Sequence, residues 1–301
     1  MQAAVSASTP APDPVAGLFP ARTYHHIVGS TGAGKTTWWF QTLADWLTGA
    51  DVLGCRSTPC PWAYVCCDHS LEETTRTVER IGVPSLLPHI YSAIDCRFPD
   101  EFGAVLTFAK ARVPGLRLLV IDAIAALVRE GRINDYGVVK DFVRGLRRAA
   151  VQNDLTIIGI GQDAKGDGSS FVPYRQRPAG SHAWGAYCST IIVIERADAQ
   201  NLADRRRKII IEPRNAPADQ FEFELDDRGR FVPVGDLGWF LLDQEFRKLP
   251  PAVDLYRRTV LDWATKAGLS ERSAERWIEE KVKTGWLERS GRGIYRKRRL
   301  S

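Results

Sequence analysis

The run Gly29-Ser30-Thr31-Gly32-Ala33-Gly34-Lys35-Thr36 satisfies G-x-x-x-x-G-K-[ST] at every defined position. It follows a short β-rich run over 24–28 and opens a helical pattern over 35–48, the context that confirms a phosphate-binding loop. Glycines let backbone N–H groups turn inward around phosphate oxygens. The helix that follows adds its positive N-terminal end. Lys35 is placed to reach the β- and γ-phosphates, and the Thr36 hydroxyl to bind Mg²⁺. With Thr37, the whole of 29–37 reads as the binding loop for a nucleoside triphosphate.

Around the loop, apolar β-rich runs alternate with helical patterns. Strands are expected over 62–67, 89–94, 118–122 and 156–161, with helices over 71–81, 99–112 and 138–152. Four more strands are expected over 190–195, 208–213, 221–225 and 230–234, the last two forming a hairpin at Asp227-Arg228-Gly229. Such alternation signals an α/β domain on a mainly parallel sheet. Between 163 and 185 the chain is polar and rich in Gly, Ser, Pro and Arg, and long loops in compact domains are usually functional or disordered.

The 301 residues carry 41 basic and 36 acidic groups, a net of +5. The excess is not spread evenly. Residues 254–301 hold 13 basic and 7 acidic side chains, which leaves 1–253 at 28 and 29. A basic C-terminal module on a near-neutral body suggests a polyanion-binding appendage. The hydrophobic fraction of 44% allows a packed core. No apolar run approaches the ~20 residues of a membrane helix. The Ala/Ser/Pro-rich start lacks the basic and apolar regions of a signal peptide. Six cysteines in this length make no disulfide scaffold, which points to a reducing, cytoplasmic setting. Cys55, Cys60, Cys66 and Cys67 lack paired metal-knuckle spacing. The domains expected are a disordered lead-in over 1–18, an ATPase body over 19–235, a linker over 236–252 and a C-terminal module over 253–301.

Hydrolysis needs further groups at the same sheet edge. Leu118-Leu-Val-Ile-Asp122 is an apolar strand ending in a carboxylate, suited to the metal's water shell, with a turn cap as the plainer alternative. Asp68 ends the strand before it and is the candidate for orienting water, in competition with a helix N-cap role before Leu71. Glu72 and Glu73 are weaker candidates. Gln162 ends the strand over 156–161, either as a γ-phosphate sensor or as a solvated loop start. Trp38 and Trp39 follow the loop, one expected on the sheet and the other against a neighbour or the adenine. His25 and His26 read as packing residues.

Together these residues resemble the RecA-like ATPase fold, and most closely the RepA-like and DnaB-like hexameric replicative helicases, over about residues 20–235. The carriers are the phosphate loop, the strand Tyr64-Val-Cys-Cys-Asp68, the segment from Arg177 to Glu195, and Lys208-Ile-Ile-Ile-Glu-Pro-Arg214-Asn. The resemblance implies ATP and Mg²⁺ as cofactors, a homo-hexamer, and Arg214 as a finger reaching the neighbouring subunit's nucleotide. The plainer reading of Arg214 is a surface residue at a strand end. Two positions depart from the family: its catalytic Glu is Asp68 here, and the Lys before its finger is Glu212.

In a RecA-like ring, the stretch 164–182 would line the channel. Its Lys165, Arg175 and Arg177, with Phe171 and Tyr174, would track single-stranded DNA by phosphate contact and stacking. A mobile solvated loop is the alternative. The tail reads as helix, helix and hairpin, a winged helix-turn-helix order. Arg272 and Arg276 sit on the second helix, and Arg289, Arg292, Arg296, Lys297, Arg298 and Arg299 on the wing. That is a cationic face for DNA, duplex DNA among the candidates, although winged helices also bind proteins. Trp263, Trp277 and Trp286 read as core. The function expected is an ATP-dependent DNA motor of the replicative helicase type. The alternatives are a recombinase or loader ATPase, and an ATP-switched DNA-binding regulator.

Overall fold

The computed structural model describes residues 12–53, 55–93, 102–128, 132–163, 175, 178–198, 201, 203–215, 218–234, 242–243, 245–246, 248–267 and 269–298. The body is a sheet with helices on both faces. Its strands are β1 (Tyr24–Gly29), β2 (Trp62–Cys66), β3 (Ile90–Ser92), β4 (Leu118–Asp122), β5 (Thr156–Ile160), β6 (Thr190–Arg196), β7 (Arg206–Pro213), β8 (Asp219–Leu225) and β9 (Phe231–Pro233). They lie in the order β3-β2-β4-β5-β1-β6-β7-β8-β9. The first six in that row are parallel, and β7, β8 and β9 run antiparallel as an extension.

The central strands β1, β2, β4 and β5 are buried at every position. Strands covered on both faces need continuous Val/Ile/Leu runs rather than alternation, and that is what their sequences hold. One face carries α1 (Lys35–Leu47) and α2 (Leu71–Ile81), the other α3 (Phe102–Arg112) and α4 (Tyr136–Gln152). α4 shows why: Val139, Val143, Leu146 and Ala150, three or four apart, are its buried stripe.

Three features differ from the sequence expectation. Residues 12–18 are not a disordered lead-in. Val15 and Leu18 are buried, and Ala16 and Pro14 make backbone hydrogen bonds to Arg56 and Thr58. Phe19 follows and meets Trp39 edge-to-face at 6.0 Å. Burying a side chain of this size is worth about 3 kcal/mol, enough to order the segment. Secondly, the polar stretch over 163–185 holds a short helix, α5 (Ala183–Tyr187), with Trp184 buried. Thirdly, the C-terminal helix expected over 253–267 begins as a strand.

That C-terminal unit consists of β10 (Asp254–Tyr256), α6 (Arg257–Lys266), α7 (Glu271–Lys283), β11 (Leu287–Gly291) and β12 (Ile294–Lys297). Its three strands pair in the order β10-β12-β11. Leu255, Val260, Ala264, Ala274, Trp277, Ile278 and Leu287 form its own core. Leu242 and Phe246, from the stretch read as linker, are buried in that core too, and Phe246 meets Trp277 edge-to-face at 5.6 Å. Asp243 accepts a hydrogen bond from Trp277 Nε1 at 2.6 Å. The stretch 236–252 is therefore in part a structural element of the C-terminal unit. Among the described residues no helix is long and apolar enough to cross a membrane.

Candidate nucleotide site

The parallel strands deliver their C-terminal ends to one edge, and the phosphate loop sits there between β1 and α1. Two glycines are demanded by space and conformation. A Cβ at Gly29 would lie 2.2 Å from the Ile194 carbonyl oxygen of the adjacent β6. Gly34 has φ +97°, a left-handed value, with Phe231 against its open side. Gly34 precedes α1 without capping it by a side chain. The helix's first amides, which have no intrahelical acceptor, therefore face the loop's concavity.

Lys35 Nζ donates to the carbonyls of Gly29 at 2.9 Å and Ser30 at 3.2 Å. Burial lowers its pKa, opposed by Asp122, Asp68 and Asp163. Thr36 Oγ1 donates to Asp122 Oδ2 at 2.7 Å, and Tyr64 Oη donates to the same oxygen at 2.6 Å. Asp122 is 4% exposed, and burial raises its pKa despite these two donors. A threonine hydroxyl and a carboxylate side by side at a phosphate loop form an oxygen donor set suited to Mg²⁺, which takes few protein ligands and keeps its waters.

A cleft of about 340 Å³ gathers Thr31, Gly32, Gly34, Lys35, Thr36 and Thr37 with Asp68, Asp122 and Gln162. Ser30 and Ala33 complete the loop behind it, joined by an Ala33 N–H to Ser30 carbonyl bond at 3.1 Å. Asp68 does not cap α2. Ser70 does, in a reciprocal capping box with Glu73. The competing role for Asp68 therefore belongs to another residue. Glu73 also lines the cleft, but its Oε2 accepts from the Ser70 amide. Glu72 pairs outward with Arg76.

Gln162 stands where the cleft meets the polar stretch. Its carbonyl accepts the Ala179 N–H at 2.8 Å, and Asp163 bridges Pro178. The Asp163 N–H donates to the Gly29 carbonyl at 3.1 Å. Both stems of the stretch 164–177 are thus pinned beside the phosphate loop.

Other expected residues lie elsewhere. Trp38 and Trp39 are both buried in the core, so neither is presented to adenine or a neighbour. Arg214 is exposed at the end of β7. Because β7 is antiparallel, that end lies at the sheet edge opposite the phosphate loop, and its guanidinium donates to the Ala186 carbonyl. Arg175 is not a free channel cation. Its Nε donates to Glu212 Oε1 at 3.0 Å, and its other nitrogens donate to the Gly185, Cys188 and Glu212 carbonyls. Lys165, Phe171, Tyr174 and Arg177 fall outside the described residues, as does Arg299.

In the C-terminal unit, Arg272, Arg276, Arg289 and Arg292 are exposed. Lys297 is turned inward, donating to the Phe246 and Leu249 carbonyls at 3.1 and 2.6 Å, so it is withdrawn from the cationic face. Arg296 pairs with Asp254 at 2.8 Å, and Arg298 lies 3.4 Å from Glu288.

Three residues at the site escaped the sequence reading. Tyr64 sits in an ordinary-looking apolar strand. Arg207 is 5% exposed and donates to the Ala33 carbonyl at 3.0 Å, clamping the loop from behind. Arg196 ends β6 with its Nη2 3.5 Å from the Gly32 carbonyl. Both arginines lie in strands far along the chain, and only the β1–β6–β7 order brings them to the loop.

A phosphate loop after a central parallel strand, a buried carboxylate on the second-neighbour strand β4 and an antiparallel extension beyond β6 define a RecA-like P-loop ATPase. The chain belongs to the AAA domain family, whose model matches residues 2–168. Three solved structures are similar to it. The ATPase domain of a helicase is 15% identical with a TM-score of 0.52, over 71% of this chain and 85% of that one. The KaiC-like protein PH0186 from Pyrococcus horikoshii OT3 is 18% identical with a TM-score of 0.50, over 73% and 94%. The RadB recombinase is 20% identical with a TM-score of 0.47, over 71% and 92%. At such identities the first two bear on the fold alone. No curated relative matches the chain.

Proposed function

We propose that this protein is an ATP-driven DNA motor of the hexameric replicative helicase type. The observation that carries the reading is the placement of Gln162. It lines the nucleotide cleft, and its own backbone holds the stem of the stretch 164–177. A change at the γ-phosphate is thereby transmitted over one residue to the segment proposed to track single-stranded DNA with Lys165 and Arg177.

In this reading the loop amides and Lys35 bind the phosphates of ATP. Thr36 and Asp122 hold Mg²⁺, which neutralises charge on the β- and γ-phosphate oxygens. Asp68 orients the attacking water. Its carboxylate is one methylene shorter than glutamate, so the water is held closer to β2. Arg214 cannot serve its own cleft from the opposite edge of the sheet, which supports a finger role across a subunit boundary. The C-terminal unit acts as a winged helix on DNA through Arg272, Arg276 and Arg292, with Arg296 and Arg298 held by acidic partners.

The test is strand displacement on forked DNA of both polarities, with Lys35→Ala as the inactive control. Unwinding that requires ATP and is lost in the control supports the motor. ATP hydrolysis without unwinding of either polarity sinks it.

A further inference from the structure

The face of α4 opposite its buried stripe carries three arginines, Arg144, Arg147 and Arg148, all exposed. With Arg22, Val151 and Ser189 they line a cavity of about 590 Å³ at the N-terminal edge of the parallel strands, the edge opposite the nucleotide cleft. Arg22 is neutralised in place: it shares Asp154 with Arg117, at 2.5 and 2.7 Å. None of the three α4 arginines has an ion-pair partner among the described residues. Val151 stands at the rim 63% exposed, an unusual exposure for a β-branched residue. The cavity adjoins the finger candidate, since the Arg214 amide donates to the Ser189 carbonyl at 2.8 Å.

The opposite edge shows the complement. At the start of α2, Leu71 is 39% exposed. It is flanked by Asp68, Glu72 and Glu73 at the mouth of the nucleotide cleft. Glu72 is bonded to Arg76, but both side chains are over 70% exposed, and such a helix pair is easily exchanged for a better one. One edge is therefore cationic and concave with an exposed aliphatic residue. The other is acidic and convex with an exposed aliphatic residue. Two different patches on one chain that complement each other make a heterologous, head-to-tail contact, which closes a ring or extends a filament.

The geometry points to the occupant of the arginine cavity: the first turn of α2 of a second copy of this chain. Leu71 packs on Val151, and Glu72 engages the guanidiniums of Arg144, Arg147 and Arg148. This rests on the assembly proposed above and names the contact that builds it. It also sets Arg214 of one copy near the cleft mouth of the next. The absence of aromatic side chains among the cavity's lining residues argues against single-stranded DNA, which is gripped by stacking as well as charge.

The test is a charge swap in the full-length chain, read by sedimentation velocity with ATP across protein concentration. Arg147→Glu/Arg148→Glu and, separately, Glu72→Arg each raise the dissociation constant of self-association at least about 10-fold. The combined variant recovers most of that loss, because the reversed charges meet again. Binding of a fluorescent ATP analogue, unchanged in all three, establishes that each variant is folded. The inference is overturned if either single variant assembles like the parent, or if the combined variant assembles no better than the worse single one. It is also overturned if the arginine variant assembles normally but loses salt-dependent DNA binding, which would assign the cavity to nucleic acid. A parent chain that stays monomeric with ATP and DNA would instead overturn the assembly reading itself.

Discussion

The Tyr64 hydroxyl donates to Asp122 Oδ2 at 2.6 Å, the same oxygen that accepts from Thr36. Tyr64 is fully buried on β2, and burial together with the neighbouring Asp122 raises its pKa well above the usual tyrosine value. It therefore stays a donor throughout the working pH range. It fixes the carboxylate's orientation as outer ligand-sphere partners do in metal sites, where their loss costs about 10–100-fold in affinity or activity. In Tyr64→Phe the Mg²⁺ concentration for half-maximal ATP hydrolysis should rise about 10-fold. ATP-analogue binding without Mg²⁺ should hold steady. Equal Mg²⁺ dependence in the two proteins would remove Tyr64 from the site.

Asp122 offers a test by stability. Its pKa is raised by burial, so the folded chain binds that proton more tightly than the unfolded chain. Stability is then greatest below the unfolded value and declines as pH rises toward the folded one. At neutral pH the ionised carboxylate opposes folding. Asp122→Asn should melt at a higher temperature than the parent without nucleotide, while ATP hydrolysis falls by at least about 10²-fold. A lower Tm would show that hydrogen bonds to the carboxylate outweigh its desolvation.

Acid should act through the first strand. Burial pushes His25 down to about 4 and His26 to about 3, from an ordinary 6.5. Both are depressed, so the unfolded chain takes up protons that the folded chain refuses. Stability is complete above the unfolded value and is lost as pH falls below about 6.5. Two such groups give a slope of up to ~2.7 kcal/mol per pH unit between about 6 and 4. Urea midpoints measured across that range should fall accordingly, and a His25→Gln protein should show roughly half the slope. A flat profile would mean that the strand opens before it titrates.

Glu212 replaces the lysine of the replicative helicases, and Arg175 explains it. Its guanidinium and the carboxylate are 21% and 26% exposed, so removing one strands the other in a half-buried site. Glu212→Ala should cost about 2 kcal/mol and lower Tm by roughly 4–8 °C. Arg175→Ala should destabilise similarly yet leave the salt dependence of DNA binding as it was. A reduced salt slope would return Arg175 to the DNA contact.

The proposed finger predicts shared active sites. Arg214→Ala should lose about 10³-fold in ATP turnover in the assembled state. Lys35→Ala should be inactive for a different reason. Mixing the two should restore part of the activity, because some boundaries pair an intact cleft with an intact Arg214. Mixtures no more active than their components would place any role of Arg214 within its own chain.

The phosphate loop, the strand ending in Asp122 and the layered α/β order were legible in the residues. Each is a local property: a glycine at positive φ, an apolar run long enough to cross a sheet, a carboxylate at its end. That Asp68, Asp122 and Gln162 would share one edge also followed, since parallel strands all deliver their last residue to the same side. The partners across long separations did not follow. Arg175 finds Glu212 37 residues on, and Lys297 turns to carbonyls about 50 residues back. A cation's sequence neighbours reveal its solubility, while its availability to DNA depends on which buried acceptor the fold brings within hydrogen-bonding reach. Val15 and Leu18 are ordered for the same reason, by a hydrophobic surface assembled from β6, α1 and the chain near Arg56. The sequence by itself determined what chemistry this chain can carry. The tertiary structure decided which cations remain free to meet a partner, because charge pairing and burial depend on distances that no local pattern encodes.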